Sequence, residues 1–287
     1  MLAIGRFRSV FASKWISCSR NYTITSTELQ HLKEALQKNG FTEGQSDELI
    51  TDLTPHLHRD SVSVIRSSLA CWRKNITSSK EQSEKFEQLF TNVFTEKEPR
   101  LLLVKPEHIL QRIEELKSLD LVRGRNDLWT LFRKAPTGYY MQEWKEFLRK
   151  YYYITYKVLP WLEPKIVRDS LNPILQYPPV IEMHFNNIKT RFLFAQRTGF
   201  KISTVGKGGK INLNTLMTYP LEEYLKIYSP NCTMEEFKAL ESLNMQAVGE
   251  EDDKLFEELV ELAPKVNSKP FFDTAFKETY LISDIRQ

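Results

Sequence analysis

The residues of this chain whose types and spacing could do chemistry are cations. Arg123, Arg125, Arg133, Lys134, Arg149, Lys150, Arg168, Lys189, Arg191, Arg197, Lys201, Lys207 and Lys210 crowd into its middle. Such side chains displace condensed counterions from nucleic-acid phosphates, giving an affinity that falls steeply with salt. They set position along a backbone and read no bases. Arg123-Gly124-Arg125 and Arg133-Lys134 are the densest clusters. Catalytic chemistry has no comparable set. His56 and His58 flank Leu57, a spacing that sends the two rings to different sides of a helix. Cys18, Cys71 and Cys232 have no metal-ligand spacing and suggest no disulfide framework. No nucleophile elbow, HExxH, paired CxxC or dinucleotide fingerprint occurs. Gly206-Lys207-Gly208-Gly209-Lys210 lacks Walker spacing, and no Ser or Thr follows Lys210 to hold magnesium. It reads as a basic loop suited to a backbone phosphate. Asp120, Asp127 and Asp169 read as caps and surface pairs. The expectation is a binding protein with no catalytic residue, metal or cofactor.

The charge is unevenly placed. Residues 97–210 carry 21 basic and 11 acidic side chains, a balance of +10, whereas 23–96 carry 8 and 11 and 211–287 carry 7 and 15. A basic middle beside an acidic end predicts a polyanion-binding face and a tail that shields it or engages a protein partner.

The first 27 residues contain no Asp or Glu, and Arg6, Arg8, Lys14 and Arg20 alternate with Leu2, Ile4, Phe7, Val10, Phe11, Trp15 and Ile16. This is the composition of a mitochondrial transit peptide, over 1–22, with Arg20-Asn21-Tyr22 as the processing site and the matrix as the destination. No apolar run approaches the roughly 20 residues that span a bilayer, so no membrane association is expected.

The elements that must position the cations are helices. Leucine occurs 34 times against 13 valines, and glycine only 10 times. That balance favours helix over strand. Thr25-x-x-Glu28, Ser78-x-x-Glu81 and Thr233-x-x-Glu236 are capping boxes. The apolar periodicity predicts helices near 27–38, 46–53, 55–72, 79–94, 106–119, 125–134, 138–157, 164–176, 179–197, 211–218, 220–228, 233–246 and 251–263. A large apolar residue stands four places before each of Pro106, Pro136, Pro178 and Pro220, and those prolines are 30, 42 and 42 residues apart. Spacing of this order belongs to helical repeat arrays. In the aromatic stretch 139–161, Tyr140, Trp144, Phe147 and Tyr151 follow 4-3-4 spacing and are expected in the core. Tyr139, Tyr152, Tyr153 and Tyr156 remain for the surface, where rings beside Arg149 and Lys150 could stack on bases.

The segment Leu171-Asn172-Pro173-Ile174-Leu175-Gln176-Tyr177-Pro178, followed by Val180, Ile181, Ile188, Arg191, Phe192, Leu193 and Gly199, resembles a repeat of the mitochondrial transcription termination factor (mTERF) family. Leu213–Tyr228 resembles the opening of the next repeat. Phe132–Arg149 resembles an earlier one, with Arg149 thirteen residues after Pro136 as Arg191 is after Pro178, and Leu102–Leu121 is a fainter match. The resemblance implies an all-α, curved solenoid of triple-helical repeats over 97–245, preceded by degenerate repeats or a cap over 23–96 and followed by an acidic segment over 246–287. It also implies a monomer that binds mitochondrial double-stranded DNA or ribosomal RNA in a basic groove and acts in transcription, its termination or mitoribosome biogenesis. The 42-residue spacing exceeds the family's usual period. A different reading of the same array is a protein-binding adaptor in mitoribosome assembly, engaged through the acidic C-terminal segment.

Overall fold

A computed structural model describes residues 24–58, 60–76, 84–162, 173–198 and 213–246, together with Lys254 and Glu257. The transit-peptide stretch, the capping box at Ser78 and the glycine cluster lie outside the described residues, as does the helix expected near 251–263 apart from Lys254 and Glu257, which are helical. Among the described residues there is no strand. The chain is all-α.

The helices are α1 (Ser26–Lys38), α2 (Glu43–Leu53), α3 (Ser61–Ile76), α4 (Glu84–Asn92), α5 (Pro106–Ser118), α6 (Arg125–Lys134) and α7 (Trp144–Tyr153), then α8 (Leu159–Leu162), α9 (Pro173–Gln176), α10 (Phe185–Arg197), α11 (Leu213–Thr218), α12 (Leu221–Tyr228) and α13 (Met234–Gln246). The expected boxes at Thr25 and Thr233 both form, each threonine hydroxyl accepting from the backbone N–H of the glutamate three residues on. An unforeseen box, Thr42 with Gln45, starts α2 earlier than its apolar pattern suggests.

Three helices expected as single pieces are broken: 55–72 divides into a 3-10 turn, Thr54–His56, and α3, and two others share one form of break. The stretch 138–157 divides into a π turn, Thr137–Met141, and α7, while 179–197 divides into a 3-10 turn, Pro178–Glu182, and α10. The break has the same form each time. Two residues turn extended, Gln142-Glu143 with ψ of 145° and 135°, and Met183-His184 with ψ of 148° and 137°. Val104-Lys105, with ψ of 122° and 145°, does the same between the 3-10 turn Pro99–Leu103 and α5. Apolar periodicity does not register such an interruption, because the buried positions on either side stay near helical spacing.

The recurring passage also carries a recurring apolar pair. Leu101-Leu102, Tyr139-Tyr140, Val180-Ile181 and Leu216-Met217 are all buried. In the first three, the pair begins three residues before the first extended residue, and Leu216 stands likewise before Tyr219-Pro220. The pairs begin 38, 41 and 36 residues apart. This corrects the proline spacing. Pro136 and Pro178 precede or open a short turn, whereas Pro106 is the first residue of α5 and Pro220 is the N-cap of α12. The intervals of 30, 42 and 42 therefore mixed two structural positions.

The short turns contact one another in chain order: 99–103 against 137–141, 137–141 against 178–182, and 178–182 against α11. Gly138 makes one of these approaches possible, since a Cβ there would lie 2.8 Å from Glu182 Cγ and 3.1 Å from Ile181 Cγ2. One apolar cluster runs from Leu32 to Leu240. Trp72 anchors it from α3, fully buried, with its ring centroid 4.9 Å from those of both Phe132 and Tyr140.

Candidate nucleic-acid interface

Helix α6 holds three of the expected cations, Arg125, Arg133 and Lys134, and a fourth, Arg123, stands just before its N-cap. Its N-terminal turn is built by Asp127, whose Oδ2 accepts the backbone N–H of Arg123 at 2.9 Å and of Gly124 at 3.3 Å. Gly124 is the N-cap, and Asp120 adopts a left-handed φ of 51° just upstream. The arginines on either side of Gly124 are thereby held in solvent. Arg123 and Arg125 are both exposed, and an Arg123 terminal nitrogen lies 3.3 Å from Asp120 Oδ2. Asp120 and Asp127 thus serve as an ion-pair partner and a cap, as expected.

Arg133 and Lys134 form the last turn of the same helix, where the positive charge complements the helix dipole. The two ends are about 15 Å apart, ten residues at 1.5 Å each. Lys97 joins the C-terminal end, its Nζ donating to the Lys134 carbonyl at 3.0 Å. Sequence reasoning missed Lys97 because it is 37 residues from Lys134 and belongs to the turn after α4. No carboxylate lies within ion-pair distance of Arg133 or Lys134 among the described residues.

The remaining candidates are placed differently. Arg197 is exposed in the last turn of α10. Arg149 is half-buried, 3.5 Å from Glu146 and 5.9 Å above the Phe185 ring. Lys150 and Lys189 are buried, with 5% and 8% of their surface exposed. Lys150 Nζ donates to the Ile181 carbonyl at 3.1 Å, and burial pushes its pKa down, opposed by Glu146. Arg191 is half-buried, donates to the carbonyls of Leu216 at 3.3 Å and Tyr219 at 2.8 Å, and stands 5.2 Å over the Tyr224 ring. Burial lowers its pKa too. In this conformation Lys150 and Lys189 face the interior, and Arg191 is engaged with backbone carbonyls. Arg168, Lys201, Lys207 and Lys210 lie outside the described residues.

No protein-family model matches the sequence, and no curated protein matches it.

The aromatic stretch divides otherwise than expected. Tyr140, Phe147 and Tyr151 are buried and Trp144 is half-buried. Tyr139 and Tyr153, expected at the surface, are buried as well. The cause is neighbours on more than one side: Tyr139 packs on Phe147, while Tyr153 meets Phe185 and Phe192 edge-on. Tyr152 and Tyr156 remain half-buried, their rings 5.9 Å apart. No helix of the described residues is long and apolar enough to cross a membrane.

Proposed function

We propose that this chain is a mitochondrial nucleic-acid-binding protein of organelle gene expression, an array of mTERF-like repeats that grips a phosphate backbone. The observation that carries the reading is α6. It presents Arg123 and Arg125 at one end and Arg133, Lys134 and the joining Lys97 at the other, with no acid pairing the Arg133-Lys134 end among the described residues. The recurring turn, extended pair and helix support the repeat reading, and the transit-like start supports the matrix. Double-stranded DNA, bound with little base readout, is the first ligand class. Transcription or its termination is the process served. Tyr152 and Tyr156 offer partly exposed rings should the ligand be single-stranded.

The test is binding of the purified chain to duplex DNA across a salt series. Log affinity should fall linearly with log salt, with a slope of about −0.9 for each phosphate neutralised. Replacing Arg133 and Lys134 by glutamine should flatten that slope by about 2. A slope indifferent to the double substitution would remove α6 from the interface. Crosslinking inside mitochondria separates the outcomes. Enrichment at a mitochondrial DNA locus supports a transcription role, and enrichment on ribosomal RNA moves it to mitoribosome assembly. Recovery of a protein without nucleic acid leaves the adaptor reading.

A further inference from the structure

A short helical turn that ends in extended backbone leaves its last carbonyls without intrahelical donors. When those carbonyls are buried, something else must donate to them. Leu101 also accepts the Val104 N–H at the end of its own turn, at 3.3 Å, but every side-chain donor here comes from a helix that stands earlier in the chain. The Leu101 carbonyl, in the Pro99–Leu103 turn, accepts from Ser68 Oγ and Trp72 Nε1 of α3, both at 3.2 Å. Tyr139 and Gln142, at the end of the Thr137–Met141 turn, accept from the Arg112 guanidinium of α5 at 3.3 and 3.0 Å. Ile181 accepts from Lys150 of α7. Leu216 and Tyr219 accept from Arg191 of α10. Leu101, Tyr139, Ile181 and Leu216 are each fully buried.

The three cations occupy one position. Arg112, Lys150 and Arg191 each stand eleven residues after the first member of the buried apolar pair, and each is the seventh residue of its helix. Arg112 and Arg191 also lie over an aromatic ring of the helix after the turn they reach, Trp144 of α7 at 4.9 Å and Tyr224 of α12 at 5.2 Å. The equivalence corrects the sequence register, in which Arg149 paired with Arg191. Pro136 is the N-cap of the Thr137–Met141 turn, whereas Pro178 is the first residue of its own five-residue turn, so counting from the prolines displaces the register by one residue. Lys150, not Arg149, therefore matches Arg191.

We infer that Arg112, Lys150 and Arg191 are inter-repeat struts: each satisfies the buried carbonyls of the next short turn and passes order forward along the chain, and none of them is a phosphate contact. The inference stands on these hydrogen bonds whether or not the chain binds nucleic acid. The series stops at α12, where the corresponding residue is Ile227, 38% exposed and without a donor.

Hydrogen exchange of the full chain, read segment by segment, tests this. Lys150→Met should speed exchange about tenfold or more within 178–183, the scale of losing one hydrogen bond from a charged donor. The segment 137–142 should be unaffected by that change but should respond to Arg112→Met. Lys150→Arg should restore protection, which a general packing defect would not show. For Arg191, the milder Arg191→Lys should loosen 213–219 less than Arg191→Met. Exchange that rises equally everywhere, or not at all in the following turn, overturns the inference. So does a flattened salt dependence of binding with unchanged exchange, because that assigns the cation to a phosphate.

Discussion

At the scale of single residues, the side chains that settle the fold are those with no spare room or no access to water. Gly138→Ala forces a methyl against Glu182 and Ile181, and overpacking of this kind costs about 1–3 kcal/mol. The expected result is a melting temperature lower by several degrees, read by calorimetry; an unchanged one would mean that the two turns can separate freely. Glu182 gives a pH test. Desolvation raises its carboxyl above the usual value, although Gly138 N–H, at 3.3 Å from Oε1, and Lys97 oppose the shift. A raised acid is a burden once it ionises, so its contribution is favourable below pH 4.5 and is lost as pH rises through its folded-state value. Glu182→Gln keeps the accepting oxygen and should therefore stabilise the protein at pH 7 and make no difference below pH 4. Tyr228 provides the alkaline counterpart. Buried, and hydrogen-bonded with Thr215 at 2.6 Å, its phenol is pushed up to about 12, chiefly by desolvation. Unfolded tyrosine ionises near pH 10 while the folded phenol keeps its proton, so stability falls between pH 10 and about 12. Tyr228→Phe should make that fall shallower in melts taken across the range.

At the scale of elements, α6 shows how a cap serves a surface. Asp127 is its third residue and holds the two N–H groups that shape the Arg123-Gly124-Arg125 turn. Asp127→Ala should cost about 1 kcal/mol, as loss of a helix cap does. It should also weaken duplex binding by loosening the turn, although the substitution removes an acid. Tighter binding would show that charge outweighs positioning here. The helix itself was legible: its bounds fall where the apolar spacing of Leu128, Leu131 and Phe132 places them. The interruptions before α5, α7 and α10 were not. They consist of two extended residues with no glycine in the pair, and the side-chain donor to each comes from a helix 27 to 33 residues earlier. No window of local sequence contains that donor.

At the scale of the molecule, the short turns 99–103, 137–141 and 178–182 pack in chain order, and on the proposed repeat reading stability is a sum of local terms and nearest-neighbour terms. Trp72 sits where several of those terms meet, since it donates to Leu101 and packs on Phe132 and Tyr140. Trp72→Ala should cost about 3–5 kcal/mol, the range for removing a buried aromatic. Equilibrium unfolding in denaturant measures it, and a loss below 1 kcal/mol would mean that the surrounding rings close the cavity. The basic block, read as one surface in the sequence, divides at this scale. Arg123, Arg125 and Arg197 face solvent, Arg133, Lys134 and Arg149 do so in part, and Lys150 and Lys189 turn inward.

By itself the sequence determined the helical class, two of its capping boxes, the bounds of α6, the buried stripe of Tyr140, Phe147 and Tyr151, and the uneven charge. These follow from local propensity, from periodicity and from counting, none of which needs a partner distant in the chain. Only the tertiary structure decided which prolines are equivalent, that Lys150 rather than Arg149 matches Arg191, and which cations remain at the surface. The reason is physical. A lysine or arginine in a sequence is a charge on a flexible stem, and whether it meets water or a buried carbonyl depends on what the fold sets opposite it. Arg125 and Arg112 are the same residue type 13 positions apart. The turn at Gly124 puts one into solvent, and the unsatisfied carbonyls of Tyr139 and Gln142 draw the other into the core.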